Sequence, residues 1–139
     1  MTEFKKLEIL IAEDDDGHAE LITMGLQDSG VCNKITRFSD GKEAWEFLKN
    51  CGEGSDRSYL LLLDINMPNM DGVEVLSRMK QSNCLKKIPV IMLTTTDDPR
   101  EVERCYELGC SVYITKPVDF TDFSEKLRRL GLFVQIVSV

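Results

Sequence analysis

Apolar positions along the chain follow two alternating periods, one typical of β-strands and one typical of α-helices. Leu7 to Ala12 is an apolar run broken only by Glu8, whereas Ile22 and Leu26 recur four residues apart in the segment that follows. The same alternation continues along the chain and predicts five strand–helix pairs. The predicted strands are Leu7–Ala12, Lys34–Phe38, Leu60–Asp64, Pro89–Thr95 and Val112–Thr115.

Capping residues mark where the predicted helices begin and end. Asp40, with Glu43 three residues later, is typical of a capping box. Asp98-Pro99-Arg100-Glu101 combines an N-cap, a first-turn proline and a capping-box glutamate. The helical apolar faces are Ile22 and Leu26 within Gly17–Ser29, then Ala44, Phe47 and Leu48, then Val73, Leu76 and Met79, and finally Phe120, Phe123, Leu127 and Leu130, with glycine stops at Gly30, Gly109 and Gly131. The composition of residues 50–58 predicts a loop.

Strand–helix pairs joined by short connections predict a parallel sheet with helices on both faces. The third strand is a continuous leucine run, which suits a strand that is covered on both faces. We therefore expect an α/β fold with a doubly wound five-stranded parallel sheet in the order 2-1-3-4-5. Residues 1–131 are expected to form one domain, and residues 132–139 an apolar extension of it.

Composition and charge exclude several classes of protein. The 139 residues include 24 acidic and 17 basic side chains, for a net charge of −7, which disfavours nucleic-acid binding because phosphate contacts need clustered Lys and Arg. No apolar run approaches the roughly 18 residues of a membrane span, and Glu3 and Glu8 interrupt the region where a signal peptide would be apolar. We expect a soluble, cytoplasmic protein without nucleic-acid or membrane partners.

Soft-metal chemistry has little support in the sequence. The five cysteines are scattered without a C-x-x-C pair and are expected to be reduced. The single histidine, His18, is expected in the exposed first turn of a helix rather than as a zinc ligand.

Polar side chains follow four of the five predicted strands. They are Glu13 to Asp16 after the first strand, Asp64 at the end of the third, Thr94 to Thr96 at the end of the fourth, and Lys116-Pro117 after the fifth. In an open parallel sheet, ligands bind at the carboxyl ends of the strands where the strand order reverses. The second strand ends in Arg37-Phe38-Ser39-Asp40, which we interpret as a turn and helix cap.

Glu13, Asp14 and Asp64 are expected to converge between the first and third strands. Carboxylates at such distances repel one another unless a cation is present, and an all-oxygen site suits Mg²⁺. Lys116 would add a positive charge and Thr94 a hydroxyl group. The set fits a carboxylate that attacks phosphorus, in a site that stabilises the attached phosphoryl group.

This order of motifs resembles the receiver domain of two-component response regulators, the proteins phosphorylated by histidine kinases. The resemblance extends from Leu7 to about Leu130. It implies a flavodoxin-like receiver fold and a phosphoacceptor signalling protein rather than an enzyme. The motifs are Glu13-Asp14, Leu63-Asp64 followed by Met67-Pro68-x-Met70-Asp71-Gly72, Leu93-Thr94-Thr95, and Tyr113-x-x-Lys116-Pro117.

The resemblance also implies a role for each motif residue. Asp64 would be the phosphoacceptor, and Glu13, Asp14, Asp64 and the backbone carbonyl of Asn66 would hold Mg²⁺. The phosphate-binding and switch residues would be Thr94, Thr95, Tyr113 and Lys116. Tyr113 is expected to turn inward when Thr94 moves toward the phosphoryl group, and the Lys116–Pro117 peptide bond is expected to be cis.

The segment from Tyr106 to Asp119 is similar to the small stand-alone regulators of phytochrome-type histidine kinases. Those regulators typically carry Glu-Asp-Asn after the first strand, whereas here Asp15 takes the third place and Asp16 follows. The expected phosphodonor is a sensor histidine kinase, of the phytochrome type by this similarity. Too few residues follow Pro117 for an effector module, so the expected output is contact with a downstream protein or a phosphotransfer protein. The apolar extension predicts a homodimer.

Two other functions fit parts of the sequence. A haloacid-dehalogenase-like phosphatase would use Asp14 of Asp14-Asp15-Asp16 as its nucleophile. Loss of phosphorylation on changing Asp14 but not Asp64 would favour it. A flavodoxin-like flavin-binding protein would share the fold, but it needs a hydroxyl- and glycine-rich phosphate loop where this chain is acidic. A coloured purified protein would favour it.

Overall fold

The computed structural model describes residues 6–51, 57–116 and 120–129. Strands and helices alternate throughout these residues, as the apolar periods predict. The strands are β1 (Lys6–Ala12), β2 (Ile35–Phe38), β3 (Arg57–Leu63), β4 (Val90–Thr94) and β5 (Val112–Thr115). The helices are α1 (Asp16–Asp28), α2 (Gly41–Lys49), α3 (Gly72–Lys80), α4 (Pro99–Leu108) and α5 (Phe120–Arg129).

The strands form one parallel sheet in the order β2-β1-β3-β4-β5, which confirms the predicted order. β1 and β3 pair over seven residues each, from Lys6 opposite Arg57 to Ala12 opposite Leu63. The two strands therefore end at the same edge, where the Asp64 amide donates a 3.0 Å hydrogen bond to the carbonyl of Ala12. This register places the residues after β1 beside those after β3.

Both faces of the sheet are covered, and β3 shows why four consecutive leucines are needed. Side chains alternate between the faces of a strand. Leu61 and Leu63 therefore pack with α2, α3 and α4, while Leu60 and Leu62 pack with α1 and α5. All four leucines are buried, which confirms the prediction of a strand covered on both sides.

Aspartates cap four of the helices, each accepting a hydrogen bond from an amide in the first turn. The two capping signals expected from sequence, at Asp40 and Asp98, are confirmed. The caps are Asp15 to the His18 amide at 2.9 Å, Asp40 to Glu43 at 2.7 Å, Asp71 to Glu74 at 2.9 Å and Asp98 to Arg100 at 2.9 Å. These contacts fix where each helix starts relative to the strand before it.

The prediction for the loop over residues 50–58 is wrong at its end. β3 begins at Arg57, because Arg57 and Ser58 pair with Lys6 and Leu7 of β1. Pairing with a neighbouring strand outweighs the polar composition that indicated a loop. Pro117, Gly131 and the extension 132–139 lie outside the described residues, so the cis peptide bond and the domain boundary stay predictions.

Gly72 lets α3 approach the end of β3 closely. A Cβ atom at this position would lie 2.1 Å from the backbone carbonyl oxygen of Asp64, a distance that only glycine avoids. The Gly72 amide also donates a 2.9 Å hydrogen bond to the carbonyl of Ile65. The first turn of α3 therefore holds the backbone of Asp64 in place. Among the described residues, none of the helices combines the length and apolar character of a membrane span.

Candidate functional site

Three acidic side chains meet at the carboxyl edge of the sheet between β1 and β3. Glu13, Asp14 and Asp64 each place a carboxylate oxygen within 4.8 Å of the others. Glu13 and Asp64 are buried, whereas Asp14 is exposed to solvent. The strand order predicted this convergence, and it lies where an open α/β sheet binds its ligands.

Lys116 brings a single ammonium group into the acidic cluster from the end of β5. Its Nζ donates to Glu13 Oε1 and lies 3.3 Å from Asp64 Oδ2. The backbone amide of Lys116 donates to the carbonyl of Thr94 at 2.8 Å, which ties this residue to the end of β4. The side chain is only 6% exposed, so the lysine charge is shielded from water and depends on these acids for compensation.

The pKa of Glu13 shows that burial outweighs the stabilising contact of this carboxylate with Lys116. Burial raises the pKa of Glu13, the hydrogen bond from Lys116 lowers it, and the charge of Asp64 raises it again, leaving the pKa above its ordinary value. A second positive charge would favour the ionised form of this carboxyl group. Because the donors are all carboxylate oxygens, the site fits a hard divalent cation.

Asp15 and Asp16 have structural partners that account for the extra acids after β1. Asp15 is the N-cap of α1. Asp16 accepts a 2.6 Å ion-pair contact from Nη1 of Arg37. The same guanidinium donates to the carbonyl oxygen of Glu13 through Nε at 3.0 Å and Nη2 at 2.7 Å. The planar guanidinium of Arg37 is a fork of N–H donors on β2, and it holds the loop that follows β1.

Sequence reasoning missed Arg37, because the end of β2 was interpreted only as a turn and helix cap. The available signal was its place in the chain. β2 is the strand beside β1, and an arginine near its end comes close to an acidic loop that follows β1. The geometry makes Arg37 a part of the site that binds the backbone carbonyl of Glu13 rather than its carboxylate.

Asn66, two residues after Asp64, connects this carboxylate to the segment that follows β4. The Asn66 amide lies 3.3 Å from Asp64 Oδ1, and Asn66 Nδ2 donates to Thr96 Oγ1 at 2.9 Å. Thr94 is fully buried, and its Oγ1 accepts a 3.4 Å hydrogen bond from the Thr96 amide. Thr95 is exposed. Thr96, which the sequence reasoning left without a role, is thus the residue that contacts Asn66.

Tyr113 lies in the inward position beneath the segment after β4. Its hydroxyl donates a 2.6 Å hydrogen bond to the carbonyl of Thr96, and its amide donates to the hydroxyl of Tyr106 at 3.0 Å. Burial raises the pKa of Tyr113 to about 12, with smaller contributions from nearby Cys105 and Glu101. The tyrosine is therefore a neutral hydrogen-bond donor across the physiological pH range.

His18 does not occupy the exposed position expected from the sequence. It is the third residue of α1 and is half-buried. Its Nδ1 atom lies 3.3 Å from Nζ of Lys116. Spacing along the chain offered no signal for this contact, because 98 residues separate the two side chains.

The strand order defines a flavodoxin-like α/β protein, and its acidic cluster beside a buried lysine fits a divalent cation. The response regulator receiver domain family matches residues 9–128. The chain belongs to this family and is a response regulator of two-component phosphorelay signalling. Receiver domains interact with histidine kinases and downstream targets, and they bind a divalent metal.

Relatives cover nearly the whole chain. Response regulator Rcp1 of Synechocystis sp. is 36% identical over 127 residues, covering 90% of this chain and 86% of Rcp1. The Mn²⁺-bound structure of Rcp1 has a TM-score of 0.72 at 34% identity, covering 94% of this chain and 89% of that one.

Two further solved structures are similar. A response regulator receiver domain from Rhodospirillum rubrum has a TM-score of 0.77 at 43% identity, covering 93% of this chain and 94% of that chain. The phosphorylated cyanobacterial phytochrome response regulator RcpA has a TM-score of 0.75 at 33% identity, covering 91% of each chain.

Replacing Arg37 by methionine should destabilise the fold by about 1–3 kcal/mol, because the carbonyl of Glu13 loses a charged donor. Arg37→Lys should recover only part of this loss, since a lysine cannot reproduce the two-pronged contact. Urea denaturation measures both changes. Arg100→Met is the matched control: Arg100 is 91% exposed beside Asp98, and its loss should cost about 0–0.5 kcal/mol. Equal effects at the two positions would contradict the role of the fork.

Proposed function

We propose that this chain is a single-domain response regulator that accepts a phosphoryl group on Asp64 from a sensor histidine kinase. The observation that carries the proposal is the position of the Asp64 carboxylate, which contacts the Lys116 ammonium and lies beside the carboxylates of Glu13 and Asp14. The protein acts as a phosphoacceptor that changes state, rather than as an enzyme with a free substrate. Residues 1–131 form its receiver domain.

In the proposed transfer, a carboxylate oxygen of Asp64 attacks the phosphorus of a kinase phosphohistidine. The new O–P bond forms as the P–N bond breaks, and the electron pair of that bond leaves with the imidazole. Lys116 and the Asn66 amide, each 3.3 Å from an oxygen of Asp64, orient the carboxylate. The phosphoryl group of the product carries close to two negative charges in place of the single charge of the Asp64 carboxylate, and the Lys116 ammonium can pair with them.

Mg²⁺ is the cation that we propose for the site, held by Glu13, Asp14, Asp64 and the backbone carbonyl of Asn66. When bound, it supplies positive charge that offsets the charge of the phosphoryl oxygens. The raised pKa of Glu13, caused first by burial and also by the charge of Asp64, supports this proposal because a bound cation would favour the ionised carboxylate.

The proposed switch connects Thr94 to Tyr113. The Thr94 hydroxyl would hydrogen-bond the phosphoryl group, with Thr95 at the exposed rim and Lys116-Pro117, in a cis peptide bond, on the opposite side. Thr96, two residues after Thr94, provides the carbonyl that accepts from the Tyr113 hydroxyl. Tyr113 is already buried here, so movement of Thr94 would act on it by shifting the Thr96 carbonyl that its hydroxyl binds.

The proposed phosphodonor is a phytochrome-type histidine kinase, supported by the similarity to the phytochrome response regulator RcpA. The proposed output is contact with a downstream protein or transfer to a phosphotransfer protein. The family assignment does not favour the phosphatase alternative based on Asp14 or the flavin-binding alternative.

Phosphorylation should depend on Asp64. Incubation with Mg²⁺ and acetyl phosphate should add one acid-stable, base-labile phosphoryl group, measured by intact mass. Asp64→Asn should abolish the addition, because a carboxamide does not attack phosphorus. Asp14→Asn should retain labelling at raised Mg²⁺ concentration. If labelling is lost in the Asp14 variant and kept in the Asp64 variant, the result would contradict the proposal and favour the phosphatase alternative.

Mg²⁺ affinity should separate the carboxylates from the lysine. Glu13→Gln and Asp14→Asn should each weaken binding about tenfold or more, since each removes a charged ligand. Lys116→Ala should bind Mg²⁺ equally or more tightly, because a competing cation is removed. Calorimetric titration measures these affinities. Glu107→Gln, on the exposed side of α4, is the control for net charge. Weaker Mg²⁺ binding by Lys116→Ala would refute this placement of the lysine.

We also propose that the protein forms a homodimer through residues 132–139 together with the region of α4 and α5. Residues 132–139 carry no charged side chain and include Phe133, Ile136 and Val137. Burying three such side chains contributes several kcal/mol at about 1.5–3 kcal/mol each, before the entropy of association is subtracted. Sedimentation should show concentration-dependent dimers for the full chain and monomers for a chain ending at Gly131. A full chain that stays monomeric, with and without phosphorylation, would refute the proposal.

A further inference from the structure

His18 contacts the lysine of the site, and the start of α1 determines its position. Its backbone amide donates a 2.9 Å hydrogen bond to the N-cap carboxylate of Asp15. Side chains of a helix lean toward its N-terminal end. The imidazole is therefore directed toward the loop after β1, where its Nδ1 atom lies 3.3 Å from Nζ of Lys116.

The chemistry of the ammonium group defines what His18 does there. A lysine ammonium has three N–H donors and no acceptor. Three side-chain atoms surround it, Glu13 Oε1, Asp64 Oδ2 and His18 Nδ1. Because the ammonium can only donate, a hydrogen bond between the two groups requires Nδ1 to accept, with the ring proton on Nε2. His18 thus supplies the third acceptor to a cation that is only 6% exposed.

We propose that His18 is a positioning residue that holds the Lys116 ammonium beside Asp64. The inference rests on the proposed function. Two of the three acceptors, on Glu13 and Asp64, belong to the proposed metal-ligand set. Among the residues that the structure describes, His18 Nδ1 is the side-chain acceptor outside that set, so it retains the ammonium at the site when the carboxylates serve a cation. Lys116 then stays in place to pair with the incoming phosphoryl group.

Two substitutions separate the acceptor from the space that the ring fills. His18→Leu removes the acceptor, whereas His18→Asn places an amide oxygen near the position of Nδ1. At saturating Mg²⁺, labelling by acetyl phosphate should be about tenfold slower in His18→Leu, the effect of one charge-assisted hydrogen bond. His18→Asn should stay within about threefold of the unmodified chain. The melting temperature and Mg²⁺ affinity should match in the two variants, because neither changes a carboxylate.

A wild-type labelling rate in His18→Leu would overturn the inference. Equal slowing in both variants would also overturn it, since the loss would then follow the missing ring rather than the missing acceptor.

Imidazole NMR tests the contact without any phosphoryl transfer. The chain has one histidine, so a long-range proton–nitrogen spectrum reports His18 alone. We expect a neutral ring with the proton on Nε2, and a changed Nδ1 shift in Lys116→Met. A proton on Nδ1, or no change in Lys116→Met, would refute the contact. Absence of labelling in the unmodified chain would instead refute the proposed function, while the spectrum would still decide whether His18 binds Lys116.

Discussion

One ammonium group between two buried carboxylates is the interaction on which this site depends. Glu13 and Asp64 are nearly excluded from water, and their mutual repulsion would be costly without Lys116. The three residues directly follow β1, β3 and β5, so the contact spans most of the sheet. Only the parallel register of β1 with β3, and the end of β5 beside β4, can bring them together. The apolar core on both faces of the sheet therefore keeps these three charged groups in contact at the carboxyl edge.

The backbone around these charges is restrained from three directions. Gly72 lets α3 approach the carbonyl of Asp64 closely, and the fork of Arg37 holds the carbonyl of Glu13 from β2. Asp15 directly follows Glu13 and Asp14 in the chain and caps the N-terminus of α1. Such restraint matters because a site of like charges would otherwise relax by moving its side chains apart. Preorganisation of this kind keeps the carboxylates close enough to share a cation.

Most of the fold could be predicted from the sequence because apolar period and capping residues are local properties. The leucine run of β3 and the caps at Asp40 and Asp98 predict their elements without reference to distant residues. The convergence of Glu13, Asp14 and Asp64 followed from strand order alone. Strand order also indicated that Arg37 lies near the loop after β1, although this signal was missed. The contacts of His18 with Lys116 and of Thr96 with Asn66 could not be predicted in this way, because each depends on how individual side chains from distant segments are oriented. The start of β3 at Arg57 was missed because pairing with β1 decides it.

The hydrogen bonds of Thr96 connect the acidic site at Asp64 to the buried side chain of Tyr113. Its hydroxyl accepts from Asn66, whose amide lies beside Asp64 Oδ1, and its carbonyl accepts from Tyr113. The amide of Thr96 donates a hydrogen bond to the hydroxyl oxygen of Thr94. A change of charge at Asp64 would therefore act on this short segment through Asn66. Because Tyr113 is buried and neutral, it can follow that segment only by repacking, and this favours two discrete arrangements over a gradual displacement.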